Sequence, residues 1–254
     1  MSPPCVIILG MHRSGTSLVA GSLQAAGLRL GTVNDQAPFN SKGNKENVRI
    51  RELNDAMLDR IGASWKRPPA RQITWLRSDS RRAESLLRPY LSADRAWGFK
   101  DPRTIWTVEG WLQLLPDAQL VGVFRHPALV AQSLVARTGA LSIDPGEAFE
   151  LWSAYNAELL RLERKYRFPL VHFGIPNKLR EEFFAPLTRL ARSLGLSHPV
   201  DAFFDDGLIH QRAEHLKADT RAIKLHNELL ASSEQQGNEP ADFRCITGLR
   251  QRGA

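Results

Sequence analysis

The sequence predicts an α/β fold of three layers, a mostly parallel central sheet flanked by helices. Two observations carry that expectation. Short apolar runs that fit buried parallel strands alternate along the chain with longer segments of helical apolar spacing. The first run, Cys5-Val6-Ile7-Ile8-Leu9, leads into Gly10-Met11-His12-Arg13-Ser14-Gly15-Thr16-Ser17, a glycine loop that opens the next helix. Strand, glycine loop, helix is the order in which the free N–H groups of a helix start receive a phosphate or sulfate.

After the loop, the spacing of Leu18, Val19, Leu23 and Ala26 predicts a helix that Gly27 ends. A polar, Asn- and Gly-rich loop follows over residues 31–45, then a helix near 46–61 with Ile50, Leu53, Met57 and Ile61 inward. Pro68 and Pro69 break the chain before a basic helix near 79–91. Trp97-Gly98-Phe99 reads as a short strand running into Lys100-Asp101-Pro102-Arg103, and charges at a strand end suggest a site. A helix near 107–115 stops at Pro116, and residues 119–124 (QLVGVF) form a second buried strand that ends at Arg125. Pro127 opens the next helix, where its missing N–H costs nothing, and Gly139 follows that helix's end. Asp144 and Glu147 have capping-box spacing, and Phe149, Trp152, Tyr155, Leu159, Leu162 and Tyr166 mark the core stripe of a long helix. Residues 170–173 (LVHF) give another strand, and a helix from about 178 to 194, interrupted by Pro186 and ended by Gly195, completes the alternation. The expected organisation is one domain over residues 1–230 and a polar, turn-rich tail over 231–254.

A chain of 254 residues with 43% hydrophobic content is long enough for one substantial core. The first apolar run is too short for a signal peptide and no stretch approaches a membrane span, so a cytoplasmic protein is expected. Two cysteines, Cys5 and Cys245, suit neither a disulfide framework nor a metal cluster, and no metal is expected. The formal charge of +7 comes from 34 basic against 27 acidic residues, mostly arginine on the basic side. That suits anionic ligands, although a coding bias toward arginine explains it equally well. The basic stretch from Arg60 to Arg82, with Trp65 and Trp75 inside it, reads either as a lip for an acidic acceptor or as a solvated face. Charges are interspersed without a nucleic-acid motif, so no nucleic-acid partner is expected.

The loop keeps the Gly-x4-Gly frame of a nucleoside triphosphatase but has Thr16 where that loop has lysine. Its nearest cation is Arg13, inside the loop, which points away from ordinary ATP chemistry. Arg125, at a strand end, precedes Ser133 by eight residues. The pair could clasp one phosphate, or Ser133 could bond back to the carbonyl of Leu129.

Taken in order, the two motifs resemble those of the sulfotransferase family that uses 3′-phosphoadenosine 5′-phosphosulfate (PAPS). Arg13-Ser14-Gly15-Thr16-Ser17 is similar to its 5′-phosphosulfate loop, and Arg125 with Ser133 to its 3′-phosphate pair. The likeness runs over roughly residues 5–200, and with Lys100-Asp101-Pro102-Arg103 it is nearer to bacterial and carbohydrate-type members. It implies a P-loop-like fold and metal-independent, in-line transfer of a sulfuryl group to a hydroxyl of a carbohydrate, glycolipid or small metabolite. By that likeness Arg13 stabilises the leaving phosphate, while Ser14, Gly15, Thr16 and Ser17 hold the 5′-phosphosulfate. Lys100 is a second cation at the reaction, or else the partner of Asp101 in a local salt bridge. Glu46 is the leading base, or else a first-turn residue favoured by the helix dipole, with Asp35 and His12 as lesser options for the base. The C-terminal Arg-Lys-Gly segment of many cytosolic members has no match in residues 244–254. The rival readings are a P-loop kinase with Asp101 on Mg²⁺ and an anion-binding module without chemistry.

Overall fold

Four strands, β1 (Cys5–Gly10), β2 (Trp97–Lys100), β3 (Gln119–Arg125) and β4 (Leu170–Phe173), pair in parallel in the order β2-β1-β3-β4. The computed structural model describes residues 3–37, 40–137, 139–174, 180–204 and 219–238. In β1, Cys5, Ile7 and Leu9 enter one core while Val6 and Ile8 enter the other, so the strand is buried on both faces and has no polar position. Helices α1 (Thr16–Ala25) and α7 (Arg180–Ser193) pack on one face of the sheet. The other face carries α2 (Val48–Asp59), α3 (Arg77–Leu91), α4 (Val108–Leu114), α5 (Pro127–Val135), α6 (Pro145–Tyr166) and α8 (Thr220–Asn238). Together these make the expected three layers.

Local chemistry explains most boundaries. Asn47 caps α2 by accepting from the Ile50 N–H, and Asp144 caps α6 by accepting from the Glu147 N–H at 2.9 Å. Asp79 accepts from the Leu76 N–H at 2.8 Å, which starts α3 two residues before the expected position. The stripe from Phe149 to Leu162 is buried as the core of α6.

The chain departs from expectation at its end. Residues 231–238, read from sequence as the start of the tail, continue α8. Their serines are used in packing: Ser232 donates to Glu163 at 2.9 Å and Ser233 to the Leu170 carbonyl at 2.8 Å. Residues 239–254, including Cys245, lie outside the described residues.

With β1 between β2 and β3, chain connections leave the sheet in opposite directions on either side of β1. The crevice at the carboxyl ends of β1 and β3 is the switch point where ligands of open parallel sheets bind.

Candidate functional site

All four strands deliver residues to that crevice. β1 runs into the glycine loop, β2 ends at Lys100, β3 at Arg125 and β4 at Phe173. They line a cavity of about 500 Å³, within the range of small-molecule sites. Five of its described lining residues are cationic (Arg13, Lys42, Lys100, Arg125 and Arg137) and one, Glu46, is acidic.

The loop can take its shape only with glycine at its two ends. Gly10 has φ 145°, and a Cβ there would run into the Val123 carbonyl. Gly15 has φ 92° and caps α1, with room for Phe173 where its Cβ would stand. α1 has no side-chain cap and no acid in its first turn, so its N–H groups and positive dipole end are left to a ligand. Arg13 takes the left-handed conformation, φ 67°, a backbone state unusual outside glycine.

That conformation sends Arg13 across the site. Its Nε donates to Ser133 Oγ at 2.6 Å, joining the two motifs that lie 120 residues apart. Ser133 therefore meets Arg13 at the site, and no bond back to Leu129 is needed to satisfy its hydroxyl. Arg125 lies close by, its guanidinium 4.9 Å over the Phe173 ring and one Nη near the Arg13 carbonyl. Burial lowers the Arg13 pKa, and burial with repulsion from Arg13 pulls Arg125 down to about 10. Burial disfavours the charge on both arginines, and a nearby anion would favour it.

Lys100 and Glu46 form a buried ion pair at 3.0 Å, only 2% and 5% exposed, with Arg103 at 3.8 Å from the other Glu46 oxygen. Lys100 does not bridge to Asp101, because neighbours in a strand point to opposite sides. Asp101 instead pairs with Arg103 at 2.7 Å and accepts from Asn54 at 2.8 Å. Asn54 also reaches Thr104, Thr107 and Trp111, so a buried polar lattice holds the β2 end rigidly beneath the pocket. His12 lines the pocket with its ring 4.7 Å from Trp65, and its Nε2 is buried without a hydrogen-bond partner among the described residues. Burial, then Arg103, Arg137, Lys100 and Arg13, hold its pKa well below the usual histidine value, so the imidazole is neutral at pH 7.

Of the residues expected at the site, Arg13, Gly15, Thr16, Ser17, Glu46, Lys100 and Arg125 line the pocket. Ser14 and Ser133 are buried behind it. The Ser17 hydroxyl donates to the Asn44 carbonyl at 3.0 Å and so ties the 31–45 loop to α1. Asp35 is exposed and pairs with Lys45, away from the lining. Sequence reasoning missed Arg137, Lys42, Phe173 and Phe203. Arg137 falls one helical turn after Ser133 and Phe173 at a strand's carboxyl end, so each left a readable signal.

The fold and pocket define an α/β protein whose glycine loop carries an arginine, Arg13, and has Thr16 where the triphosphatase loop has lysine. A model of the sulfotransferase family matches residues 4–169, and the chain belongs to that family. It is thus an enzyme of sulfuryl transfer, a family whose donors are of the PAPS type. No curated protein matches this chain. The chain is similar to the solved sulfotransferase domain of the Synechococcus PCC 7002 olefin synthase, at 15% identity over 90% of this chain and 95% of that one, TM-score 0.49. It is also similar to sulfotransferase STF9 from Mycobacterium avium, at 14% identity over 95% of this chain and 78% of that one, TM-score 0.47. A third such structure, the sulfotransferase domain of the curacin biosynthetic pathway, has 15% identity over 96% of this chain and 95% of that one, TM-score 0.46.

Proposed function

We propose that the protein moves a sulfuryl group from PAPS to a hydroxyl of an acceptor, a carbohydrate or another metabolite. The observation that carries this reading is the Arg13–Ser133 hydrogen bond beside Arg125, which brings both anion motifs to one open helix start. The residues present fit the donor: two arginines with lowered pKa, Arg13 and Arg125, stand close together at the crevice, and among the described residues the buried Ser14 hydroxyl has no hydrogen-bond partner.

PAPS, when bound, supplies an activated sulfuryl group whose leaving group is a phosphate. Arg13 and the N–H groups of Gly15, Thr16 and Ser17 hold the 5′-phosphosulfate and stabilise charge on the leaving oxygen. Arg125 and Ser133 take the 3′-phosphate by charge-assisted hydrogen bonds. Lys100 stands at the far side of the pocket, where it holds Glu46 and faces the transferred group. Glu46 accepts the proton of the acceptor hydroxyl. The neutral His12, whose Nε2 has no hydrogen-bond partner among the described residues, is the alternative base in the same pocket. General-base help of this kind contributes about 10²- to 10⁴-fold.

Calorimetric titration with adenosine 3′,5′-bisphosphate, against ADP and ATP with and without Mg²⁺, tests the reading. Tight, metal-independent binding that requires the 3′-phosphate supports it. Preference for Mg·ATP would sink it in favour of a kinase.

A further inference from the structure

Arg137 is a pocket cation to which the donor assignment gives no role. It follows α5 one turn beyond Ser133 and lines the cavity with His12, Glu46 and Lys100. Its guanidinium lies 5.7 Å over the Trp65 ring, which also contacts the ring of His12. A guanidinium laid on an aromatic face is fixed in direction while its edge N–H groups stay open to a planar oxyanion. Arg137 Nε is buried without a hydrogen-bond partner among the described residues. Burial and repulsion from Arg13 bring its pKa down to about 10, with Glu46 offsetting part of the loss. Glu46, however, is already matched by Lys100 and Arg103.

The position decides what this cation is for. The donor's two anionic ends fall to Arg13 and Arg125. Arg137 stands on the side of His12 and Glu46, which the acceptor hydroxyl must reach to lose its proton. A wholly neutral acceptor would cover this half-buried cation without matching its charge, an arrangement that costs binding energy. We infer that Arg137, held on Trp65, recognises the acceptor, and that the acceptor carries its own oxyanion, a carboxylate or phosphate, beside the hydroxyl to be sulfated. This rests on the donor assignment proposed above. Lys66, 5.6 Å from the same Trp65 ring, adds positive potential along that approach.

The test uses the full chain saturated with adenosine 3′,5′-bisphosphate, titrated calorimetrically with two matched pairs of probes. One pair is 4-nitrophenyl β-D-glucuronide and its methyl ester; the other is glucose 6-phosphate and glucose. The wild type should bind the anionic member of a pair at least tenfold more tightly, and Arg137→Ala should bring that ratio close to one. Its affinity for adenosine 3′,5′-bisphosphate should stay within about twofold of wild type. Arg137→Gln, which keeps a polar side chain without the charge, serves the same purpose if the alanine variant does not fold. A tenfold loss of adenosine 3′,5′-bisphosphate affinity in either variant makes Arg137 a donor ligand and overturns the inference. So does a wild type that treats both pairs alike, including by binding neither. A wild type that fails to bind adenosine 3′,5′-bisphosphate at all is a separate result, and overturns the donor assignment itself.

Discussion

Replacing Arg125 with alanine removes a guanidinium that is 7% exposed, seated over Phe173 and beside the Arg13 loop. If it holds the 3′-phosphate, the variant loses charged hydrogen bonds worth together about 1.5–3 kcal/mol, or roughly ten- to a hundredfold in affinity. The loss must depend on the phosphate. Calorimetry with adenosine 3′,5′-bisphosphate and with AMP, on wild type and variant, gives four affinities and one coupling energy. The bisphosphate should weaken by the full factor and AMP by no more than about twofold. The pH dependence supplies a second reading of the same group. Burial and Arg13 set the free guanidinium at about 10, and a bound anion raises it, so affinity should fall as pH rises through about 10. Equal weakening of both nucleotides, with an unchanged melting temperature, would refute the assignment and make Arg125 a structural residue.

Two further predictions concern buried charge. Lys100→Met strips Glu46 of its nearest partner in a dry setting and should cost about 3–5 kcal/mol by urea denaturation, most of it recovered in Lys100→Met/Glu46→Gln; a single variant as stable as wild type would contradict the buried pair. The second is a set of three histidines. His226 of α8 lies 4.9 Å from His126 and 5.3 Å from His172, and burial is the first cause that pushes His226 down to about 3 and His172 to about 4. Unfolded histidines protonate near pH 6.5. The unfolded chain therefore binds more protons below that pH, so stability is full above about 6.5 and declines toward pH 4, by up to about 1.4 kcal/mol per pH unit for each ring. Urea unfolding at pH 7 and pH 5 should differ by roughly 2–4 kcal/mol, with a smaller difference in His226→Asn; a pH-independent midpoint would count against the cluster.

Much of the site was readable because its residues lie at fixed offsets from strand ends. The loop after β1, Lys100 and Arg125 could be placed by strand and glycine alone. Other features were set by contacts distant in sequence. From sequence, Ser133 could bond back to Leu129 or join Arg125 at a phosphate, and its bond to Arg13, 120 residues away, was in neither reading. Lys100 was open to a role at the reaction or a bridge to Asp101, yet strand alternation sends those two apart and Glu46 arrives from before α2. The end of α8 was hidden because its serines read as turn formers, and only Glu163 and the Leu170 carbonyl make them packing residues.

Trp152, deep in α6, donates its indole N–H to the carbonyl of Arg125 at 3.0 Å. The site's strand-end arginine is thereby buttressed from the protein's interior. Residues 40–44, by contrast, reach the crevice as a loop tied down by Ser17, and the 62–76 segment sets Trp65 against the ring of His12. Under the proposed function, those loops are the part that can be exchanged to alter acceptor choice while the buttressed strand end stays as it is, and loop grafting is the engineering route that follows.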